Sequence, residues 1–559
     1  MAATPLQRRL ACMAVLESRW STRRREKGRR LEQLGITGSS KVVDAWCIDD
    51  VLATLIQPGD RVSIEGDNQK QADFLAGALA QADPERLHDL HLLISSVSLP
   101  VHLDIFERGV ASRLDLAFAG PQSLRLAQLV EDKVVTIGAI HTYVELYARM
   151  FVDLPPTVAL LCAEGADEDG NLYTGANTED TPTIAEATAF HDGIVIVQVN
   201  KIVDTLPRVD IPGDWVDVVV VSPKPYKLEP LFTRDPGKIG RVEILKAMLA
   251  IRGVYERHEI VSLNHGIGLD TAAIELILPT YGEELNLRGR IARNWVLNPH
   301  PTLIPAIESG WVESVHCFGG EPGMERYVAA RPDVFFTGRD GSLRSNRVLA
   351  QLAGQYAIDM FIGSSLQIDG DGNSSTVTAG RLAGFGGAPN MGHDPHGRRH
   401  GSAAWLDLAS GEGANRRGRK LVVQLVETFK AGGTPTFVDR LDAVDVGEQA
   451  GMPLPPVMIY GDDVSHVVTE EGVAYLYKAD SIEERREAIA AVAGATPIGL
   501  RHDPQVTERL RRDGVVALPE DLGVDVRRAD RSLLAAKSVG DLQAWSGGLY
   551  DPPARFRNF

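Results

Sequence analysis

Val158-Ala-Leu-Leu-Cys162 and Gly193-Ile-Val-Ile-Val-Gln-Val199 are short, nearly unbroken apolar runs. A strand with one wet face alternates apolar and polar residues, whereas one covered on both faces does not. Runs of this kind therefore predict a largely parallel sheet whose crossovers are helices. The flanking chain agrees. Pro58-Gly-Asp60 is a turn, Arg61-Val-Ser-Ile-Glu65 a strand and Gly66-Asp-Asn68 a loop, with a helix over 71–79. Further strands are predicted at 90–97, 114–119 and 134–138. The fold class is α/β.

The second half begins the same way, with a strand over 259–263, the Gly-rich turn Asn264-His-Gly-Ile-Gly268 and a helix over 270–278. Each half carries an acidic hairpin, Asp167-Glu-Asp-Gly-Asn171 and Asp369-Gly-Asp-Gly-Asn373. Gly66 precedes Gly170 by 104 residues, and Gly268 precedes Gly372 by 104. The same offset of 202 carries Val218–Val221 onto Lys420–Val423. Self-similarity at a long, fixed offset predicts two tandem α/β domains of similar topology, with an active site at their interface. The predicted boundaries are a basic arm over 1–35, domains over 36–240 and 241–525, and an extension over 526–559. Only the second copy carries the loop from Gly384 to His400, so the chemistry is expected there.

Composition is that of a globular protein, 44% hydrophobic and 24% charged over 559 residues. The net charge of −17 argues against a general nucleic-acid binder. Within it, Arg19 to Arg30 holds seven basic residues against Glu26, a solvated arm or a dock for an acidic partner. Cys12, Cys47, Cys162 and Cys317 form no C-x-x-C pair, so a reduced, cytoplasmic setting is expected. No apolar stretch approaches the ~18 residues that span a bilayer.

The Asp-Gly-Asn loops do not fit a helix-loop-helix calcium site, which wants Gly at about position six and Glu at about twelve. Counting from Asp167 finds Leu172 and Thr178 there, and from Asp369 finds Ser374 and Gly380. Tight hairpins explain them. His393, His396 and His400 stand beside Arg398 and Arg399, which repel a cation, so this loop reads as an anion site before a metal site. In the Asn264–Gly268 turn, Thr271 replaces the third glycine of a dinucleotide fingerprint. The turn still offers N–H groups at a helix N-terminus, suited to phosphate or an oxyanion.

Asp167 to Leu172, followed by Ile194–Val199 and Asn200-Lys-Ile-Val-Asp204, resembles the first domain of acyl-CoA transferases. Ala357-Ile-Asp-Met360, Gly386-Gly-Ala-Pro-Asn390 and Val468-Thr-Glu-Glu-Gly-Val-Ala474 resemble the second, in which the double glycine sits beside the thioester. Cys162–Asn171, Gly386–His400 and Gly548–Asn558 look like the α subunits of biotin-independent malonate decarboxylases. The resemblance implies two CoA-transferase-like domains and an exchange of acetyl for malonyl on an acyl carrier protein, with acetate released. It implies no tightly bound cofactor. The thiol is CoA or the phosphoribosyl-dephospho-CoA arm of the carrier, and the partners are the carrier and decarboxylase subunits.

On that resemblance, Gly386, Gly387, Gly266 and Gly268 stabilise the thioester oxyanion. Asn390, His393, Arg398 and Arg399 orient malonate, while Glu164, Asn171 and Asn294 complete the thioester-binding set. Many CoA transferases use a Glu nucleophile, yet Arg288 to Asn298 contains none. Either Glu283 or Glu284 is recruited, or malonate attacks the thioester directly, the reading preferred here. The alternatives are a citrate-type transferase or hydrolase and a non-catalytic carrier-docking subunit.

Overall fold

The structure is a computed structural model that describes residues 22–35, 41–66, 70–228, 234–339, 341–343, 347–391 and 420–556. By contacts the described residues form two units: those of 1–139 with 145–229, and 140–144 with those of 230–559.

The first unit opens with helix α1 over 22–33. Its principal sheet contains β1 (Val42–Val43), β2 (Arg61–Ile64), β3 (Leu90–Ser96), β4 (Ala111–Phe118), β5 (Thr136–Ile140), β6 (Val158–Ala166), β7 (Ile194–Ile202) and β8 (Val218–Val221). The spatial order is β1-β8-β7-β6-β2-β3-β4-β5. All pairings from β1 through β4 are parallel. The two apolar runs are β6 and β7, central and fully covered in their apolar stretches, which is why they do not alternate. Helix α2 (Pro100–Glu107) follows β3.

The second unit's sheet contains β9 (Ser262–His265), β10 (Asn294–Val296), β11 (Ser314–His316), β12 (Met360–Gly363), β13 (Leu421–Leu425), β14 (His466–Val468), β15 (Val473–Tyr475) and β16 (Val516–Ala517), in the order β11-β10-β9-β12-β13-β14-β15-β16. The first six are parallel, and the last two pairings are antiparallel. Helices α3 (Leu269–Ile277), α4 (Arg347–Ala357) and α5 (Ala388–Met391) carry the residues discussed below.

Six strands in identical order, β4-β3-β2-β6-β7-β8 and β11-β10-β9-β12-β13-β14, establish the repeat topologically. The ladders also correct its register. Ile64 pairs Leu160 as His265 pairs Ile362, giving offsets of 201 and 202. Leu160 pairs Ile196 as Ile362 pairs Val423, an offset of 227. Ile196 pairs Val218 as Val423 pairs His466, an offset of 248. The match of Val218–Val221 to Lys420–Val423 was therefore accidental, because β13 occupies the place of β7. The growth from 202 to 227 falls on the segment that contains the extra loop.

The two ends of the chain belong to the units. Arg30 is buried against Asp60 at 2.6 Å, and Lys27 meets Asp217 at 2.8 Å, so the described part of the basic arm neutralises acids of its own unit. Leu533, Leu534, Ala536, Val539, Leu542 and Tyr550, near the end of the chain, join the second unit's core. No helix among the described residues is long and apolar enough to cross a membrane.

Candidate active site

In a doubly wound sheet, ligands bind outside the carboxyl ends of the strands where the winding direction reverses. In the second unit that point lies between β9 and β12. Gly266 occupies it: its N–H donates to Ile362 O at 2.7 Å, and a Cβ on it would stand 2.8 Å from Gly363 Cα. The Thr271 hydroxyl donates to Gly266 O at 2.6 Å and ties the turn to α3. Gly266 N–H is thus consumed by the sheet and cannot serve an oxyanion, which corrects the expectation for that residue. Gly268, the N-cap of α3, has open space where a Cβ would stand. The N–H groups of the first helical turn have no intrahelical acceptor and carry the positive end of the helix dipole.

The first unit has the same reversal between β2 and β6, and there it is filled. Glu65 N–H donates to Leu160 O as Gly266 N–H does to Ile362 O. The fully buried Glu65 carboxylate accepts from Cys162 N–H at 2.8 Å and from the Thr181 hydroxyl, and lies 3.3 Å from the buried ammonium of Lys70. An ion pair plugs one copy; glycines open the other.

Gly386, Gly387 and Asn390 lie together around Gln351 of α4. Gly386 adopts φ +60° and its carbonyl accepts from Tyr143 N–H at 3.0 Å. The Arg347 guanidinium lies 4.4 Å above the Tyr143 ring. Gly387 backs onto Gln351, whose amide nitrogen would stand 2.4 Å from a Cβ at that position. Among the described residues, neither Gly386 N–H nor Gly387 N–H donates to any acceptor. Consecutive amides around a left-handed residue form a nest for a negative oxygen. Asn390 is buried at 1% exposure, its amide donating to Gln351 Oε1 at 3.4 Å, and this is a packing role.

The other predicted residues separate. The Asn171 amide donates to Asp167 Oδ2 at 2.9 Å, and its Oδ1 accepts from Gly213 N–H at 2.8 Å. Asn373 repeats this with Asp369 at 2.9 Å and Gly461 at 2.9 Å. Asn171 is therefore the clasp of a duplicated turn. Glu164, also in the first unit, accepts from the Asn200 amide at 2.7 Å and meets Lys201 at 3.4 Å. Asn294 starts β10, at the amino end of the sheet and away from the reversal, where it accepts from the Ser314 hydroxyl at 2.7 Å. His393, Arg398 and Arg399 lie outside the described residues.

The clasp makes a prediction. Asn171→Ala and Asn373→Ala should each destabilise their unit by about 2 kcal/mol through lost hydrogen bonds, read as a lower urea midpoint. The KM for the acyl acceptor should not move. A changed KM with an unchanged midpoint would return Asn171 to the binding set.

Glu283 and Glu284 follow the helical turn Leu278–Gly282 at the far end of α3. At ~1.5 Å per helical residue they stand roughly 20 Å from Gly268. Glu283 accepts from Trp311 Nε1 at 3.1 Å and pairs with Arg288 at 3.0 Å, while Glu284 pairs with Arg528 at 2.6 Å. Neither is placed to attack at the glycine turn.

A buried network escaped the sequence reading. Glu275 of α3 is 0% exposed, and its carboxylate accepts from His265 Nδ1 at 2.9 Å, His300 Nδ1 at 3.0 Å and the Thr302 hydroxyl. Tyr255 OH donates to His265 Nε2 at 2.5 Å, and the Arg234 guanidinium donates to His300 Nε2. Burial alone would raise the Glu275 carboxyl; His300, His265 and the Arg234 charge overcome this and hold it well below the usual range. Burial pushes His300 down to about 3 and lowers His265. With both imidazoles neutral and Glu275 ionised, the two Nδ1–H groups and the Thr302 hydroxyl meet the carboxylate, and each Nε2 accepts, from Tyr255 or from Arg234. The partners lie 10, 25 and 27 residues from Glu275, a spacing that forms no motif.

The fold resembles that of acyl-CoA transferases. An Escherichia coli O157:H7 acyl-CoA transferase structure matches at TM-score 0.51 and 15% identity, covering 79% of this chain and 89% of that one. The family model described as malonate decarboxylase, alpha subunit, transporter, matches residues 19–559, and the chain belongs to that family. It is 66% identical to a chain in the crystal structure of a Pseudomonas malonate decarboxylase hetero-tetramer in complex with malonate, at TM-score 0.92, covering 97% of this chain and 99% of that one. It is also 58% identical to the acetyl-S-ACP:malonate ACP transferase of Malonomonas rubra, over 91% of this chain and 93% of that protein.

Proposed function

We propose that the chain is an acyl-carrier-protein transferase: acetyl-S-carrier plus malonate gives malonyl-S-carrier plus acetate. Family membership supports the reaction class. The observation that carries the site is the reversal in the second unit, opened by Gly266–Gly268 where the first unit is plugged by Glu65 and Lys70. In this reading a malonate carboxylate oxygen adds to the acetyl carbonyl, and the carrier thiolate leaves as a mixed anhydride forms. The thiolate then adds to the malonyl carbonyl of the anhydride, and acetate departs.

Gly386 and Gly387 N–H stabilise the tetrahedral oxyanion, and Gly268 with the first turn of α3 receives a second negative group. His393, Arg398 and Arg399 orient malonate. The thiol is the phosphoribosyl-dephospho-CoA arm of an acyl carrier protein, with free CoA as a slower analogue. The carrier and decarboxylase subunits are the partners.

Purified chain incubated with acetyl-CoA and malonate should release malonyl-CoA and acetate in equal amounts, with citrate and water as poor acceptors. No product from either acetyl-CoA or the acetylated carrier would leave a docking subunit. Glu283→Gln and Glu284→Gln should retain at least half the rate. Borohydride reduction after acetyl-CoA treatment should leave both carboxylates unmodified in the mass spectrum. A reduced Glu283 or Glu284 would replace direct transfer with an acyl-glutamyl route.

A further inference from the structure

We infer that Glu275 and His265 are positioning residues that set the backbone of the glycine turn for acyl exchange. The inference deepens the proposed function and rests on it for the reaction. His265 is the last residue of β9, immediately before Gly266, and Glu275 projects from α3, which begins immediately after Gly268. Their bond at 2.9 Å joins the two flanks of the turn. The Thr271 hydroxyl on Gly266 O makes a second strut. The other side of Glu275 reaches the loop after β10 through His300 and Thr302, and Arg234 reaches it through His300.

The chemistry of the network suits this work. A carboxylate bonded only to Thr302 and His300 would have had no need of the turn. Here it takes a third donor, and that donor is the strand residue that fixes where Gly266 begins. The His265 ring is held on two further sides, by Tyr255 OH at its other nitrogen and by Trp295 at 4.6 Å between ring centroids. It therefore cannot swing without breaking a buried bond, and an unpaired buried donor is costly. A turn that, with the first turn of α3, must present N–H groups to a negative group at a fixed place gains from such a brace, because electrostatic stabilisation and positioning both fall steeply with misplacement. Charge closes as well: Arg234 and Glu275 flank a neutral His300, so the network buries one cation with one anion.

Two substitutions of one residue separate positioning from general stability. His265→Asn puts an amide N–H where ring Nδ1–H stands and keeps the bond to Glu275. His265→Gln carries its amide further out, toward Tyr255, and loses that bond. His265→Gln should lower kcat at least tenfold with KM for acetyl-CoA unchanged, and the amides of 266–270 should exchange hydrogen faster by mass spectrometry. His265→Asn should keep kcat within threefold and the exchange pattern of wild type. Asn373→Ala, which weakens the same unit elsewhere, should change neither. Equal behaviour of the two His265 variants, or damage from Asn373→Ala as large as from His265→Gln, would overturn the inference. If wild type performs no acyl exchange, the proposed function fails, and hydrogen exchange alone still decides whether Glu275 and His265 hold the turn.

Discussion

Gly387→Val should abolish acyl exchange, with a fall of at least a hundredfold, while the protein remains folded. Losing one oxyanion donor from a preorganised site costs about 10² to 10³ in rate, and this change disturbs two. The branched side chain meets the Gln351 amide, which would stand 2.4 Å from the new Cβ. Gln351 is 1% exposed and accepts from the Asn390 amide, so it cannot move aside freely. The backbone of 386–387 shifts instead, and both N–H groups, which donate to no acceptor among the described residues, leave their places. The obstructing atom is the end of a side chain, so the unit as a whole survives. Gly387→Ala should lose at least tenfold, and Gln351→Ala in the same chain should recover most of that loss by opening the space. The measurements are the acetyl-CoA/malonate exchange rate and the urea midpoint of each variant. A wild-type rate in folded Gly387→Val would remove this glycine pair from the active site.

How much of this was legible follows from the kind of signal each feature leaves. Strands β6 and β7 announced themselves because burial on both faces removes alternation, and that alone set the α/β class. The duplicated clasp was equally visible, since Asp167 and Asn171 act within five residues, as do Asp369 and Asn373. The tight-hairpin reading holds for both copies, and only the binding role added for Asn171 differs, because the same polar atoms that could bind a ligand close the turn. The offset of 202 held for β6 and β12, where no insertion intervenes, and failed for β8. Valine runs look alike, and only the ladder shows that β13 stands where β7 does. The sequence presents Gly266 and Gly268 alike as donors, but Gly266 N–H donates to Ile362 O, nearly a hundred residues away. Glu275 left no trace for the same reason: a buried carboxylate on an apolar helix looks like an isolated charge until the loop bearing His300 and Thr302 is folded over it.

Acid should destabilise this protein well above the carboxylate range. His102 of α2 is 0% exposed, and both ring nitrogens are buried without a hydrogen-bond partner among the described residues. Burial pushes its pKa down from the usual 6.5 to about 4, although Asp104 pulls the other way. The unfolded chain therefore takes up a proton as pH falls through about 6.5, and the native protein does not follow until about 4. The stability that neutral His102 contributes is complete above pH 6.5 and is lost between 6.5 and 4. At about 1.4 kcal/mol per unit, the loss from this residue is about 2 kcal/mol at pH 5. His300, pushed down to about 3 by burial and the Arg234 charge, acts in the same direction over a wider range. Glu275 adds its share only below the usual carboxylate pKa, since its folded value is depressed. Asp369, Glu325 and Glu471, raised by burial, oppose the trend because they take up protons before the unfolded chain does. The histidines win, for their window opens first and each starts from complete burial. Urea midpoints should thus fall steadily from pH 7 to pH 5, and His102→Leu should flatten that slope while leaving acyl exchange at pH 7.5 in place. An unchanged slope in His102→Leu would mean that the ring is reached by water and titrates near 6.5 in the native protein.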